Sequence, residues 1–284
     1  MGPAEWAKRS LISWIDRRFD PELLTDLQHL PVQVNEYGYD PFGFSREDVK
    51  IALFAAQQLY RRYFRAEVFD IDRVPDGRVL VIANHSGQLP FDAVCIACAL
   101  MLDRKPPRVL RAMIERFVPT YPFISYLLAR WGQIVGSPEN CERLLDSGEA
   151  ILVFPEGAKG ISKPFTQRYQ LQPFGNGFMR LALKTRTPIV PVAVVGAEEQ
   201  APAFNLRPLA RLLGAPAFPV VPAPPYFPII PYPSKYRIYF GEPRTFLGDP
   251  DDDDEVIDGL ALQVKNSIQT MLYTGLKERR HIFW

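Results

Sequence analysis

The stretch that decides the fold is RVLVIANHSGQLPFDAVCIACALML, residues 78–102. Its first part is a short apolar run that ends abruptly at Asn84, which is typical of a buried strand. A turn that contains a histidine, a glycine and a proline follows. The apolar run at 93–102 then predicts a buried helix, since it is too short to cross a membrane. A strand that leads through a turn into a helix is the repeating unit of an α/β protein.

The same alternation continues along the rest of the chain. Five further β-rich runs are separated by helical stretches, and they read AEVFDI, RVLRAMI, AILVFPEG, PIVPVAVVG and KYRIYFGEP. A final helix follows the acidic run at 251–255. Strands that alternate with helices favour parallel pairing. We therefore predict an α/β fold with a mixed, mostly parallel sheet wrapped by helices, preceded by a helical N-terminal segment.

The N-terminal segment carries a basic amphipathic pattern at residues 5–19, with Trp6 and Trp14 among its apolar positions. Two interpretations are equally supported: a helix that lies on a membrane surface, or a helix that docks on the protein's own core. Ser45 and Asp48 then resemble the start of the next helix. We predict residues 1–44 as an amphipathic helix with its connector, and residues 45–284 as the main domain.

Composition limits the classes of protein to which the chain can belong. Hydrophobic residues make up 47% of its 284 residues and charged residues 23%, which is typical of a globular protein. A formal net charge of +1 gives no support to nucleic-acid binding. Three cysteines do not make a disulfide framework, and the spacing of Cys95 and Cys98 within an apolar helix favours buried thiols over a redox pair. We expect a cytoplasmic protein associated peripherally with membrane, because neither a signal peptide nor a spanning run is evident.

The histidine in the opening stretch is a candidate catalytic residue. In parallel sheets, ligands gather at the carboxyl ends of strands, and His85 directly follows one. Asp92 lies at the predicted start of the next helix, where the turn can fold it back toward the imidazole. An aspartate that accepts a hydrogen bond from one ring nitrogen leaves the other nitrogen free to act as a base. Gly87 relieves the turn and allows a close approach of substrate.

A second strand ends in chemically useful residues. The run AILVFPEGAKG, 150–160, places Glu156, Gly157 and Lys159 directly after an apolar stretch. A carboxylate can accept hydrogen bonds from hydroxyl groups, and an ammonium group can face a phosphate. A plain strand-ending turn with an exposed lysine is the alternative.

Four blocks of the sequence together resemble the glycerolipid acyltransferases, of which lysophosphatidic acid acyltransferase is the type member. The blocks are NHSGQLPFD, GQIVGSPENCERLL, VFPEGAKG and IVPVAVVG, in the order of that family, and the resemblance covers about residues 78–245. It implies that His85 is the general base on an acceptor hydroxyl and that Asp92 orients it. The substrate-binding residues that it implies are Asn84, Ser86, Gly87, Glu156, Gly157 and Lys159. It implies no metal and no cofactor, with acyl-CoA or acyl carrier protein as co-substrate.

The sequence departs from the family's pattern in ways that concern the acceptor. Six residues separate His85 from Asp92 where type members have four, and Lys159 stands where the family has arginine. Ser137 and Pro138 replace an arginine of the second block. These departures favour a neutral lipid alcohol as acceptor.

We therefore predict transfer of a fatty acyl group to a hydroxyl of a glycerolipid or lysophospholipid at a membrane surface. Two alternatives stay open: a lipid or thioester hydrolase, and a non-catalytic lipid-binding protein of the same fold. The predicted partners are membrane surface lipids and the acyl thioester donor, with no nucleic acid, and the sequence does not predict the oligomeric state.

Overall fold

A computed structural model describes residues 2–86, 90–114, 123–161, 163–201, 204–205, 219–220 and 231–284. The strands are β1 (Glu67–Phe69), β2 (Val79–Ala83), β3 (Leu110–Ile114), β4 (Ile134–Val135), β5 (Ala150–Val153), β6 (Ile189–Val195), β7 (Phe204–Asn205), β8 (Pro219–Val220) and β9 (Arg237–Phe240). The helices are α1 (Pro3–Asp16), α2 (Pro21–Gln28), α3 (Arg46–Gln58), α4 (Phe91–Leu102), α5 (Ile124–Arg130), α6 (Pro138–Asp146), α7 (Ala158–Ile161), α8 (Gly177–Thr185) and α9 (Asp254–Glu278). A π-helical turn, Leu59–Tyr63, extends α3.

Seven strands form the central sheet in the order β1-β9-β6-β2-β5-β3-β4. Every neighbouring pair is parallel except β6 and β9, which are antiparallel. β7 and β8 form a separate antiparallel pair. The predicted α/β class, with its mostly parallel sheet and helical N-terminal segment, is confirmed. Each β-rich run quoted from the sequence contains one strand of this sheet.

The central strands bury both of their faces, because alternate side chains point to opposite sides of a strand. In β2, Val79, Val81 and Ala83 face a core that they share with α1 to α4. Leu80 and Ile82 face a second core with α6, α8 and α9. The structure is thus helices, sheet and helices in three layers. This explains why β2 reads as a continuous apolar run.

Serine residues begin two of the helices, and the start at Ser45 is the one that the sequence predicts. The Ser45 hydroxyl accepts a hydrogen bond from the backbone N–H of Asp48 at 3.4 Å, at the start of α3. Ser137 accepts from the backbone N–H of Asn140 at 3.2 Å, at the start of α6. Each hydroxyl satisfies one of the backbone donors that the first turn of a helix leaves unpaired.

The amphipathic helix α1 and the turn that follows it have two different faces. Ile15 and Phe19 are buried in the core with α3 and α4. Trp6, Leu11 and Trp14 are exposed. Docking on the protein's own core therefore accounts for one face of this segment and leaves Trp6 and Leu11 on the other face, with Trp14 packed in part against Phe54 of α3. Residues on both sides of the predicted division at 44 and 45 share this core, and the division itself stays a prediction.

A buried ion pair joins the connector before α3 to the sheet. Arg111 of β3 is fully buried, and its guanidinium contacts the Asp40 carboxylate at 2.6 Å and the Glu149 carboxylate at 3.1 Å. The same guanidinium lies over the ring of Phe44. Removal of one partner from a buried ion pair costs about 3–5 kcal/mol. The N-terminal segment is therefore fixed to the sheet by charge as well as by apolar packing.

In the part of the chain that is described, we find no helix with both the length and the apolar character needed to cross a membrane. Cys95 and Cys98 are buried within α4, as their sequence context predicts. The sequence also contains a proline-rich run at 218–233. Most of it lies outside the described residues.

Candidate active site

Three adjacent strands bring the candidate residues to one edge of the sheet. β6, β2 and β5 are neighbours, and they run parallel to one another. His85 follows β2, Glu156 follows β5 and Glu198 follows β6. The carboxyl ends of parallel strands are where ligands bind in α/β folds. The site is thus built on three strand ends, and the rigid sheet fixes their spacing.

His85 and Asp92 contact each other directly. Nδ1 of His85 lies 2.8 Å from Oδ2 of Asp92. The same carboxylate accepts hydrogen bonds from the backbone N–H groups of Ser86 at 2.9 Å and Ala93 at 2.8 Å. The Asp92 side chain is completely buried, whereas 16% of the His85 side chain is exposed. Because the ionised carboxylate can only accept, it holds the proton on Nδ1 and leaves Nε2 available to take a proton.

The surroundings of His85 act on its pKa in opposite directions. Burial lowers the pKa, but the Asp92 carboxylate and, more weakly, the Glu156 carboxylate raise it, while Lys163 lowers it. The net pKa of His85 lies above its ordinary value. The imidazole is consequently a stronger base than a free histidine.

Packing fixes the plane of the imidazole. The ring of Phe154 stacks on His85 with centroids 4.1 Å apart and planes 17° apart. On α7, Gly160 lies so close that an added methyl group would be 2.9 Å from Cβ of Glu156 and 3.2 Å from Cβ of His85. Only a residue without a side chain permits this approach.

Asn84 joins two strands through its side chain. Its amide oxygen accepts from the backbone N–H of Val194 at 2.8 Å, and its amide nitrogen donates to the carbonyl of the same residue at 3.1 Å. Asn84 is fully buried. The side chain therefore fixes the end of β2 against β6, directly before His85.

Glu156 is also buried, and backbone groups on both sides donate to it. Oε1 accepts from the backbone N–H of His85 at 3.0 Å, and Oε2 accepts from that of Gln172 at 2.7 Å. Gly157 adopts the left-handed region, with φ of 53°, where the chain turns into α7. Asp92 thus holds the side chain of His85, and Glu156 holds its backbone.

A lysine that the sequence analysis did not single out completes the cluster. Nζ of Lys163 lies 3.0 Å from Oε1 of Glu198 and 3.6 Å from Oε2 of Glu156. It also donates to the carbonyl of Gln170 at 3.3 Å. Burial raises the pKa of Glu198 to about 7, although Lys163 lowers it. These three charged side chains, which we call the buried triad, are Glu156, Lys163 and Glu198.

The other predicted site residues differ in their positions. Ser86 is fully buried beside Asp92, and its hydroxyl has no hydrogen-bond partner among the described residues. Lys159 is exposed on α7, outside the buried triad. Gly87 lies outside the described residues. Contact of any of these residues with substrate stays a prediction.

Nothing in the sequence distinguishes Lys163 from its exposed neighbour. Both lysines belong to the run PEGAKGISKPF, and only the packing of the strand ends buries one of them. The sequence contains a weak indication that Glu198 belongs to the site. It follows the wholly apolar strand β6, as Glu156 follows β5. Gly160 and Phe154 lie within the third block, but their contacts with His85 depend on tertiary structure.

The sequence is similar to those of known proteins. The family model described as Acyltransferase matches residues 65–195. An uncharacterised protein of Mycobacterium tuberculosis is 39% identical over 260 residues, which are 88% of this chain and 72% of that protein. A mouse protein named "DGAT1/2-independent enzyme synthesizing storage lipids" is 27% identical over 218 residues, 72% of this chain and 59% of the mouse protein.

A solved structure has a similar fold. The 1-acyl-sn-glycerophosphate (LPA) acyltransferase PlsC from Thermotoga maritima superposes with a TM-score of 0.51 at 18% identity, over 82% of this chain and 83% of that chain. At this identity the likeness concerns the fold. The architecture inferred above thus recurs in a protein of known structure.

Proposed function

Because the chain belongs to the glycerolipid acyltransferase family, in a divergent branch of it, we propose that it moves a fatty acyl group from an acyl thioester to a lipid hydroxyl at a membrane surface. Acyl-CoA or acyl carrier protein is the donor, and no metal or resident cofactor takes part. The observation that carries the mechanistic part of the proposal is the 2.8 Å contact between Nδ1 of His85 and the buried Asp92 carboxylate.

In the proposed step, Nε2 of His85 takes the proton of the acceptor hydroxyl while the oxygen attacks the thioester carbonyl carbon. Asp92 stabilises the imidazolium that forms. The tetrahedral intermediate then collapses, the carbon–sulfur bond breaks, and the leaving thiolate takes the proton from His85. General base catalysis of this kind contributes about a hundred- to ten-thousand-fold to the rate.

We further propose that the acceptor is a neutral glycerolipid alcohol, such as a monoacylglycerol. The buried surroundings of His85 hold the carboxylates of Asp92 and Glu156 against the single cation Lys163 among the described residues. That charge balance disfavours a phosphate dianion close to the base. The mouse relative named for storage-lipid synthesis is consistent with a neutral acceptor.

The exposed face of α1 supports the proposed membrane association. Trp6, Leu11 and Trp14 are exposed on it, and Arg9 and Arg17 are exposed nearby. Tryptophan favours the membrane interface, and arginine favours anionic head groups. The protein would therefore take its lipid acceptor from the surface on which it rests.

Thiol release from long-chain acyl-CoA and from acyl carrier protein tests the proposal, with monoacylglycerol, lysophospholipid and glycerol 3-phosphate as acceptors. We expect release that depends on monoacylglycerol, with the acylated lipid identified by mass spectrometry. The variant His85→Ala should lose about a hundred- to ten-thousand-fold of this activity. His281→Ala, which removes an exposed histidine, is the matched control and should keep it.

The other outcomes assign other functions. Thiol release without any acceptor, with free fatty acid as product, would make the protein a hydrolase. Lipid binding without turnover in any combination would make it a binding protein. Preference for glycerol 3-phosphate would contradict the neutral acceptor and leave acyl transfer intact.

A further inference from the structure

We propose that Lys163 is a positioning residue for the reaction at His85, because it bridges Glu156 and Glu198 and so fixes the carboxylate that holds the His85 backbone. The inference rests on the proposed function for its activity assay, and on the buried triad alone for its structural part. Lys163 lies outside the strand ends that carry the other groups, and it follows α7.

The first step of the argument is the burial of the ammonium group. Only 3% of the Lys163 side chain is exposed, and the two carboxylates that it contacts are 0% and 6% exposed. A buried charge is tolerated only when it is paired and hydrogen-bonded. The Lys163 ammonium group is therefore committed to these two carboxylates and is poorly placed to bind a substrate phosphate.

The second step is the direction in which Lys163 acts. Glu156 accepts from the backbone N–H of His85 through Oε1 and faces Lys163 through Oε2. A hydrogen bond to an ionised carboxylate is stronger than one to a neutral acid. The positive charge of Lys163, 3.6 Å from Oε2, attracts this carboxylate and so fixes the acceptor of the His85 backbone N–H.

The third step is the span of the contact. Glu156 follows β5 and Glu198 follows β6, and β2 with His85 lies between them in the sheet. Lys163 thus joins the strand ends on both sides of the catalytic one. A displacement of about 1 Å at a reacting group can cost about 100-fold in rate. The bridge is placed to prevent such a displacement.

A double-mutant cycle tests this route of action. We expect Lys163→Met to lower kcat by about 100-fold with little change in the KM for either substrate. Glu156→Gln should have a similar effect, and the double variant should be little worse than Glu156→Gln alone, because Lys163 acts through Glu156. Lys163→Arg should restore part of the activity, and Lys277→Met, on the exposed surface of α9, is the matched control.

Titration of the His85 imidazole by NMR is independent of any assay of acyl transfer. Among the described residues, the charged groups that act on His85 are Asp92, Glu156 and Lys163. Loss of the Lys163 charge should move the pKa of His85 upward, and Glu198→Gln, which removes a negative charge from the triad, should move it downward. Glu198→Gln also keeps a hydrogen-bond acceptor for Lys163, so it tests the proposal if Lys163→Met does not fold.

The results separate the two proposals. The positioning role would be overturned by additive losses of kcat in the double-mutant cycle, by a rise in KM at constant kcat, or by a His85 pKa that neither variant changes. If the wild-type protein shows no acyl transfer, but Lys163→Met and Glu198→Gln change the His85 pKa as expected, the proposed function is overturned. The role of Lys163 then stands.

Discussion

His85 is held at two separate points, and each point has its own carboxylate. Asp92 accepts from the imidazole, and Glu156 accepts from the backbone N–H of the same residue. The first contact acts on the basicity of the ring, whereas the second acts on its position. Substitutions of these two acids should therefore change different kinetic properties.

Asp92→Asn tests the contact that acts on basicity. A general base must be neutral, so activity falls as the pH drops through the raised pKa of His85. Without the Asp92 charge that pKa decreases, and the acidic limb of the pH profile should move to lower pH. The maximal rate should fall by about 100-fold or more, which kcat measured from pH 5 to 9 would reveal.

The exposed Asp258→Asn of α9 provides the control for this variant. Asp92 accepts three hydrogen bonds, so the substitution should also lower the free energy of unfolding by about 1–3 kcal/mol. An unchanged pH profile in a folded Asp92→Asn protein would remove Asp92 from the mechanism.

The sequence indicates His85 as a candidate because a polar residue after an apolar strand shows in the pattern itself, and it indicates Asp92 by its place at the start of the next helix. It did not predict Lys163, since the burial of a lysine depends on which strands become neighbours. For the same reason, the sequence does not predict the ion pair of Arg111 and Asp40, because these two residues come from distant parts of the chain. Local patterns predict where strands end, and only the fold decides which ends meet.

At the scale of elements, α7 packs closely against the site. It places Gly160 against both Glu156 and His85, and an added methyl group would be 3.3 Å from the His85 carbonyl oxygen as well. The third block of the sequence is thus one unit in which the turn and the helix set the position of His85. The turn itself requires a positive φ at Gly157.

Gly160→Ala should displace α7 or His85 and lower kcat by about 100-fold. Gly259→Ala is the matched control, because a methyl group on that exposed residue of α9 would meet no atom within 4 Å. The control should keep full activity and gain about 0.5–1 kcal/mol of stability, since glycine is a poor helix former. Equal activity in the two variants would contradict the close packing of α7. Steady-state kinetics and thermal unfolding of both proteins provide the comparison.

At the scale of the whole molecule, the exposed face of α1 is one of the apolar surfaces that packing among the described residues leaves uncovered. Ile15 and Phe19 are 1% and 7% exposed, whereas Trp6 is 62% exposed. Deletion of residues 1–20 would remove parts of the core together with this face. Point substitutions on the exposed face are therefore the sharper test of membrane binding.

Trp6→Ala combined with Leu11→Ala should weaken binding to anionic phosphatidylglycerol vesicles by about tenfold, because each side chain contributes apolar area to the interface. The control pair, Val256→Ala with Leu262→Ala, removes exposed apolar side chains from α9. Cosedimentation with vesicles measures both pairs. Equal binding by the two double variants would show that α1 is not the contact surface.

The antiparallel strand β9 determines when the sheet can be completed. β9 lies between β1 and β6, although it is made long after both of them. Until it leaves the ribosome, β6 presents an open edge of backbone donors and acceptors, and β1 has no partner in the sheet. Open edges of this kind promote association between chains. A nascent or truncated chain that lacks β9 thus keeps a site for aggregation directly beside β2, the strand that leads to His85, and one late segment of four residues closes it.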